Sequence, residues 1–196
     1  LKSRNFKIID FNNIGNNRFT IINQFSIKGK ETKRPDIVIF INGLPLLIIE
    51  LKNPYDVNAD VISAFKQLKN YQEQIPSLFF TNNFNIASDG FDTRIGTITS
   101  NLEWYRSWRN EEDKYKSNLD TVLYNLLNKK NILNILSNYT VVEKGLLSNN
   151  GLIRTTLEKK ICGYHQYRAG ENSYSKIIEC FNSNKEKRGG IIWHSP

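Results

Sequence analysis

Two carboxylates and a lysine stand where a divalent metal ion and a phosphate could be handled together. Arg34-Pro35-Asp36 opens the apolar run Ile37 to Ile41, and after Asn42-Gly43 a second apolar run leads into Glu50-Leu51-Lys52. In a strand, positions two apart share a face, so Glu50 and Lys52 point together. Leu51 points the other way but keeps its carbonyl near the strand edge. Asp36, Glu50 and the Leu51 carbonyl are candidate hard oxygen ligands of the kind Mg²⁺ takes. A metal so held polarises a phosphate and lowers the pKa of a bound water, and a cation such as Lys52 orients that water and stabilises the transition state. The chemistry these residue types fit is phosphodiester hydrolysis. The plainer reading is a turn aspartate and a strand-end charge pair, and a bare D…ExK pattern is common by chance. Against it stands the cost of burying Glu50 at the end of so apolar a strand without a partner.

Sharing one metal constrains the turn between the carboxylates. Asn-Gly most often makes a two-residue hairpin loop, which would pair Ile41 with Leu44. Carried on regularly, that register opposes Asp36 to Ile49 and turns Glu50 to the other face. The sequence therefore predicts an irregularity, with Gly43 at positive φ. The simplest is a three-residue loop with a G1 bulge at Gly43; a loop of Asn42 to Leu44, or a bulge elsewhere between the carboxylates, would serve as well.

The elements that must position these groups can be read along the chain. Phe19 to Ile27, Ile37 to Ile41 and Leu46 to Lys52 read as strands, the last covered on both faces because Ile48 and Ile49 are adjacent and apolar. Asp60 caps a helix with Val61, Ala64, Phe65, Leu68 and Tyr71 at helical spacing, closed by Pro76. Gln67 and Tyr71 lie four apart on one helical face. Asn85 to Ser88 and Arg94 to Thr99 read as short strands around Asp89-Gly90. Asn101 to Lys116 reads as loop or short helix, and Leu119 to Leu136 as one leucine-rich helical stretch. Thr140 to Lys160 lacks clear periodicity, and Ser148-Asn149-Asn150-Gly151 reads as linker. Tyr164 to Phe181 reads as a helix and Gly189 to Trp193 as a short buried strand. The sum is an α/β fold: a central mixed sheet of about four or five strands flanked by helices, with the site at one end of the sheet.

Composition fits a packed domain with an acidic partner. Of the 196 residues, 39% are hydrophobic, and the formal net charge is +8. That charge suits a phosphate backbone, though it speaks to association and not to fold. Cys162 and Cys180 fit neither a disulfide framework nor a zinc site, and His165 and His194 have no partners at metal spacing. The most apolar stretch, Ile37 to Leu51, is too short to span a bilayer, and Leu1 to Thr20 lacks the continuous apolar region of a signal peptide. A cytoplasmic protein with no membrane partner is the expectation. Trp104 and Trp108, among Arg106 and Arg109, are of a type that stacks on bases, but such residues more often pin a loop to the core.

Arg34-Pro-Asp-Ile-Val-Ile-Phe-Ile-Asn-Gly-Leu-Pro-Leu46, then Ile49-Glu-Leu-Lys-Asn-Pro54, resembles the signature of the N-terminal endonuclease domain of type I restriction enzyme R (motor) subunits, within the PD-(D/E)xK nucleases. Gln67-Leu-Lys-Asn-Tyr71 resembles that family's QxxxY motif. Ile75-Pro-Ser-Leu-Phe79, Ser88-Asp-Gly90, Arg94-Ile-Gly-Thr97 and Trp108 follow in the family's order, so the resemblance covers about residues 8 to 110. It implies a Mg²⁺-dependent DNA endonuclease with a PD-(D/E)xK core. Asp36, Glu50 and Lys52 would be catalytic, with Gln67 and Tyr71 supporting the site or the DNA. For Tyr71 an ordinary place in the core is an equal expectation. Tyr164-His-Gln166-Tyr-Arg-Ala169 resembles the segment whose glutamine reads adenine in related helicases, and Gly189-Gly-Ile-Ile-Trp-His194 the strand leading into the family's phosphate-binding loop. The GxxxxGK[ST] loop itself does not occur in the sequence, so ATP would belong to the parent subunit. The implied layout is a nuclease domain over 1–139, a linker over 140–163 and the start of a motor domain over 164–196. The implied partners are double-stranded DNA and the specificity and methyltransferase subunits of a restriction complex. Two other readings stay open: a DNA-binding or scaffold module with an unused nuclease fold, and a free-standing nuclease. The intact Asp36, Glu50 and Lys52 argue against the first, and the motor-like tail against the second.

Overall fold

The computed structural model describes residues 7–56, 60–109, 119–149, 152–182 and 191. Six strands form one mixed sheet in the order β1 (Phe19–Asn23), β4 (Ile37–Ile41), β5 (Leu44–Leu51), β6 (Phe84–Ser88), β7 (Thr93–Gly96), β8 (Arg106–Ser107), beside a small pair, β2 (Ile27–Lys28) and β3 (Thr32–Lys33). Neighbours in the large sheet are antiparallel except β5 and β6. Parallel neighbours need a crossover, and helix α1 (Val61–Gln74) supplies it. The mixed α/β architecture is the one expected from the sequence.

Helix α1 begins at a capping box: the Asp60 side chain accepts from Ser63 N–H at 2.7 Å, and Asp60 N–H donates to Ser63 Oγ at 3.0 Å. It ends at Ile75, whose N–H still reaches the Tyr71 carbonyl, and Pro76 starts a 3₁₀ turn. Its apolar stripe, Val61, Ala64, Leu68 and Tyr71, meets Val38, Ile48 and Ala87 from the sheet in one buried cluster. Alternation along the strands sends Ile39, Leu47 and Ile49 to the opposite face, where they are also buried. One glycine is fixed by a close approach. A Cβ on Gly96 would sit 2.3 Å from the ring of buried Tyr105, so only glycine lets that ring lie flat on β7.

Four stretches differ from expectation. The strand expected over Phe19 to Ile27 breaks at Gln24, which has a φ of 51°. The leucine-rich stretch is two helices, α2 (Leu119–Asn125) and α3 (Lys129–Asn138), because Asn128 accepts from Asn131 N–H and starts a second helix. Asn101 to Lys116 contains a 3₁₀ turn at Leu102–Trp104 and the short β8, with its remainder past Arg109 outside the described residues. Residues expected to link two domains form an antiparallel hairpin of β9 (Thr140–Asn149) and β10 (Leu152–Ile161). The missed signal was Asn150-Gly151, a hairpin dipeptide that Ser148-Asn149 disguised as linker. The hydroxyls of Thr97 and Thr99 hold the Lys159 carbonyl at 2.6 and 2.9 Å, fastening the hairpin base to the end of β7.

The chain divides into two compact units, Leu1–Ile161 and Cys162–Pro196. The second contains helix α4 (Tyr164–Asn182), as the periodicity predicted. The strand expected at Gly189 to Trp193 lies outside the described residues apart from Ile191. Neither cysteine forms a disulfide. Among the described residues, no helix is long and apolar enough to cross a membrane.

Candidate active site

The two carboxylates meet because one residue of β5 goes unpaired. The turn itself is the two-residue kind: Ile41 pairs with Leu44 and Phe40 with Pro45, and Asn42 and Gly43 have φ values of 52° and 85°. Ile39, however, pairs with Leu47, leaving Leu46 without a partner on β4. Pro45 borders the bulge, a place that prolines within sheets favour. Beyond the bulge Ile37 faces Ile49, so the register carries Asp36 to Glu50. The three-residue loop named as simplest is not used; the bulge elsewhere between the carboxylates is. Asp36, Val38, Ile48 and Glu50 then share the face that α1 covers.

Each carboxylate is held differently. Asp36 is half-buried and accepts at both oxygens: Leu51 N–H donates to Oδ2 at 2.8 Å and Gln24 Nε2 to Oδ1 at 2.8 Å. Glu50 is 3% exposed. Lys52 Nζ donates to its Oε1 at 2.9 Å, while the buried Oε2 has no hydrogen-bond partner among the described residues. Burial pushes the Glu50 carboxyl above the usual carboxylate range; the Lys52 ammonium opposes this and the charge of Asp36 adds to it.

The helix brings the other two candidates to the same place. Tyr71 is a core residue, 4% exposed, yet its hydroxyl also borders the site and reaches toward the Arg34 carbonyl at 3.5 Å. Burial pushes its phenol up to about 12; the side chain of Gln67 pulls it down, and the charges of Glu50 and Asp36 push it further up. Gln67, one turn earlier, is half-buried. The sequence divides Tyr71 between core and site; its ring lies in the core and its hydroxyl beside Glu50 and Asp36.

Among the described residues, no three His, Cys, Asp or Glu side chains gather as a metal cage. The oxygen set is leaner: two carboxylates and the Leu51 carbonyl. In a strand a residue's carbonyl leaves on the same edge as its N–H, and the Leu51 N–H points at Asp36. This set fits an ion that keeps several of its waters, and the unpartnered buried Oε2 of Glu50 is the kind of atom such an ion satisfies.

The remaining candidates lie elsewhere. Gln166 sits in the first turn of α4, where its Oε1 accepts from Gly163 N–H at 2.8 Å and so caps the helix. Trp108 is buried and Trp104 is exposed, with the Arg106 guanidinium 5.1 Å from its ring centre. The His165 ring stacks edge-on against Tyr164, and His194 lies outside the described residues. One contact the sequence did not announce is Gln24 on Asp36, since nothing marks a glutamine inside a run that reads as strand.

Residues 1–104 match the sequence family described as the type I restriction enzyme R protein N terminus. The chain belongs to that family. The matched stretch contains Asp36, Glu50, Leu51, Lys52, Gln67 and Tyr71. Similarity to individual proteins extends past that stretch. The chain is 31% identical over 198 residues to the type I restriction enzyme HindI endonuclease subunit of Haemophilus influenzae, covering 96% of this chain and 18% of that protein. It is 28% identical to a putative type I restriction enzyme MjaIXP endonuclease subunit of Methanocaldococcus jannaschii, over 99% of this chain and 20% of that protein. With the EcoprrI endonuclease subunit of Escherichia coli the identity is 27%, over 97% of this chain and 59% of that protein. The chain thus spans about a fifth of the length of the first two.

Proposed function

We propose that the first unit is the DNA endonuclease of a type I restriction enzyme, a PD-(D/E)xK nuclease hydrolysing phosphodiester bonds with Mg²⁺. The observation that carries this reading is the bulge at Leu46, which sets Asp36 against Glu50 on the face that also presents Lys52. Asp36, Glu50 and the Leu51 carbonyl would hold the metal, which when bound polarises the scissile phosphate and acidifies a water. Asp36 is held by two N–H donors and keeps lone pairs free on both oxygens. Burial opposes ionisation of Glu50, and a bound cation would favour its ionised form. Lys52 holds Glu50 in place and turns its ammonium to the attacking water and the phosphate oxygens. Tyr71 stays protonated through the neutral range and can donate at the edge of the site, with Gln67 beside it.

In the whole R protein, ATP-driven movement along double-stranded DNA would reside in the remainder of the chain, with Gln166 as its adenine contact. Sequence choice and methylation would reside in separate subunits. The deciding experiment is plasmid cleavage by this chain and by the whole R protein, with Mg²⁺ or with EDTA. Metal-dependent loss of supercoiled DNA that disappears in both Asp36→Ala and Glu50→Ala supports the reading. Cleavage by the whole protein that survives both changes would remove it.

A further inference from the structure

We propose that Gln24 is a positioning residue that fixes the Asp36 carboxylate for metal binding; this rests on the reading of Asp36 as a ligand. Gln24 continues the β1–β4 register from Asn23 and Ile37, so it lies opposite Asp36. It holds that residue twice. Its N–H donates to the Asp36 carbonyl at 2.8 Å, and its Nε2 donates to Oδ1 at 2.8 Å. Leu51 N–H takes the other carboxylate oxygen from β5. The carboxylate is therefore clamped between β1 and β5, and its plane cannot swing without losing a donor.

The backbone at Gln24 is a second, independent sign. Its φ of 51° lies in the left-handed region, which a side chain with a Cβ enters at a cost. Among the described residues the only other non-glycine at positive φ is Asn42, where the hairpin turn demands it. Gln24 has no such turn, and the residue types that tolerate this region are Gly, Asn and Asp. Strain of this kind persists where surrounding contacts over-determine it, and it gathers at functional sites. The kink also swings Phe25 onto Phe40, ring centres 5.3 Å apart. That packing explains a kink. It does not explain a glutamine, because glycine or asparagine would make the same kink with less strain. What glutamine adds is an amide long enough to reach Oδ1.

This separation of roles sets the test. Gln24→Asn keeps a residue suited to the left-handed region but is one methylene too short. Gln24→Met keeps the length and loses the donor. Mn²⁺ binding to the metal-free whole chain is measured by calorimetry for both variants, with melting temperatures and with Glu50→Ala alongside. Both Gln24 variants should bind Mn²⁺ about tenfold more weakly or worse, the usual loss when a ligand's hydrogen-bond partner is removed. Gln24→Asn should melt no lower than the parent. Wild-type Mn²⁺ affinity in both variants, beside lost binding in Glu50→Ala, would overturn the positioning role alone. Equal binding by Glu50→Ala and the parent would overturn the metal reading and this proposal with it. A Gln24→Asn protein whose melting temperature falls in step with its affinity would assign Gln24 to packing instead.

Discussion

The backbone N–H of Leu51 donates to Oδ2 of Asp36 at 2.8 Å, across the open end of the β4–β5 hairpin. The side chain of one strand thus closes the ladder that its own backbone leaves unfinished. Asp36 has a structural duty separable from charge. Asp36→Asn keeps an acceptor for Leu51 and should keep most of the stability, whereas Asp36→Ala orphans the N–H and should cost about 1–2 kcal/mol. Both should lose metal-dependent cleavage. Melting curves beside plasmid assays check the split, and equal stability of the two variants would contradict it.

Glu50 links the site to pH. Its folded-state pKa is raised, chiefly by burial. Below the unfolded carboxyl value the group is protonated in both states and contributes nothing. As pH rises through the raised folded value, the unfolded chain releases its proton more readily, and the metal-free fold loses stability. Glu50→Gln removes that penalty. The variant should melt higher than the parent at neutral pH, with the gap closing toward pH 4. A gap that widens on acidification would reverse the sign claimed here.

Lys52 should separate metal binding from chemistry. Lys52→Ala leaves the proposed oxygen ligands in place but removes the cation 2.9 Å from Glu50 Oε1. Cleavage at saturating Mg²⁺ should drop by roughly a hundredfold to a thousandfold, the usual loss of one well-placed transition-state donor. Calorimetric metal affinity should change far less. Full cleavage by Lys52→Ala would end the role given to Lys52.

DNA binding by this chain should be salt-sensitive and indifferent to sequence. The formal charge of +8 favours phosphate contacts, and no helix-turn-helix or other base-reading motif is legible in the sequence. Affinities for two unrelated duplexes across a salt series are the measurement. A preference above about a hundredfold for either would contradict it, since specific sites gain about a thousandfold or more.

Much of this was legible before any coordinates, and the reasons are local. The strand from Ile37 to Ile41 and the helix from Asp60 to Pro76 were marked by apolar period, cap and breaker, signals written in the residues themselves. The irregularity between the carboxylates was forced by requiring one shared face. Its position was not, because a bulge is set by pairing across two strands and not within one run of residues. The β9–β10 hairpin was missed because its Asn150-Gly151 signal sits among other turn-forming residues. Gln24 was invisible for a deeper reason: a left-handed glutamine is set by contacts from β4 and not by its neighbours in the chain.

The unpaired Leu46 also bears on how such sites are found by pattern. It is a spare link in the hairpin. Remove it, and the regular two-residue turn by itself would bring Asp36 opposite the glutamate, with nothing else reversed. Keep it, and the glutamate stands one position later along the chain at the same place in space. The count of residues separating the carboxylates is thus an accident of one link. A search written for this arrangement should leave that count loose by one, and hold strictly to the aspartate after Arg-Pro and the lysine two beyond the glutamate.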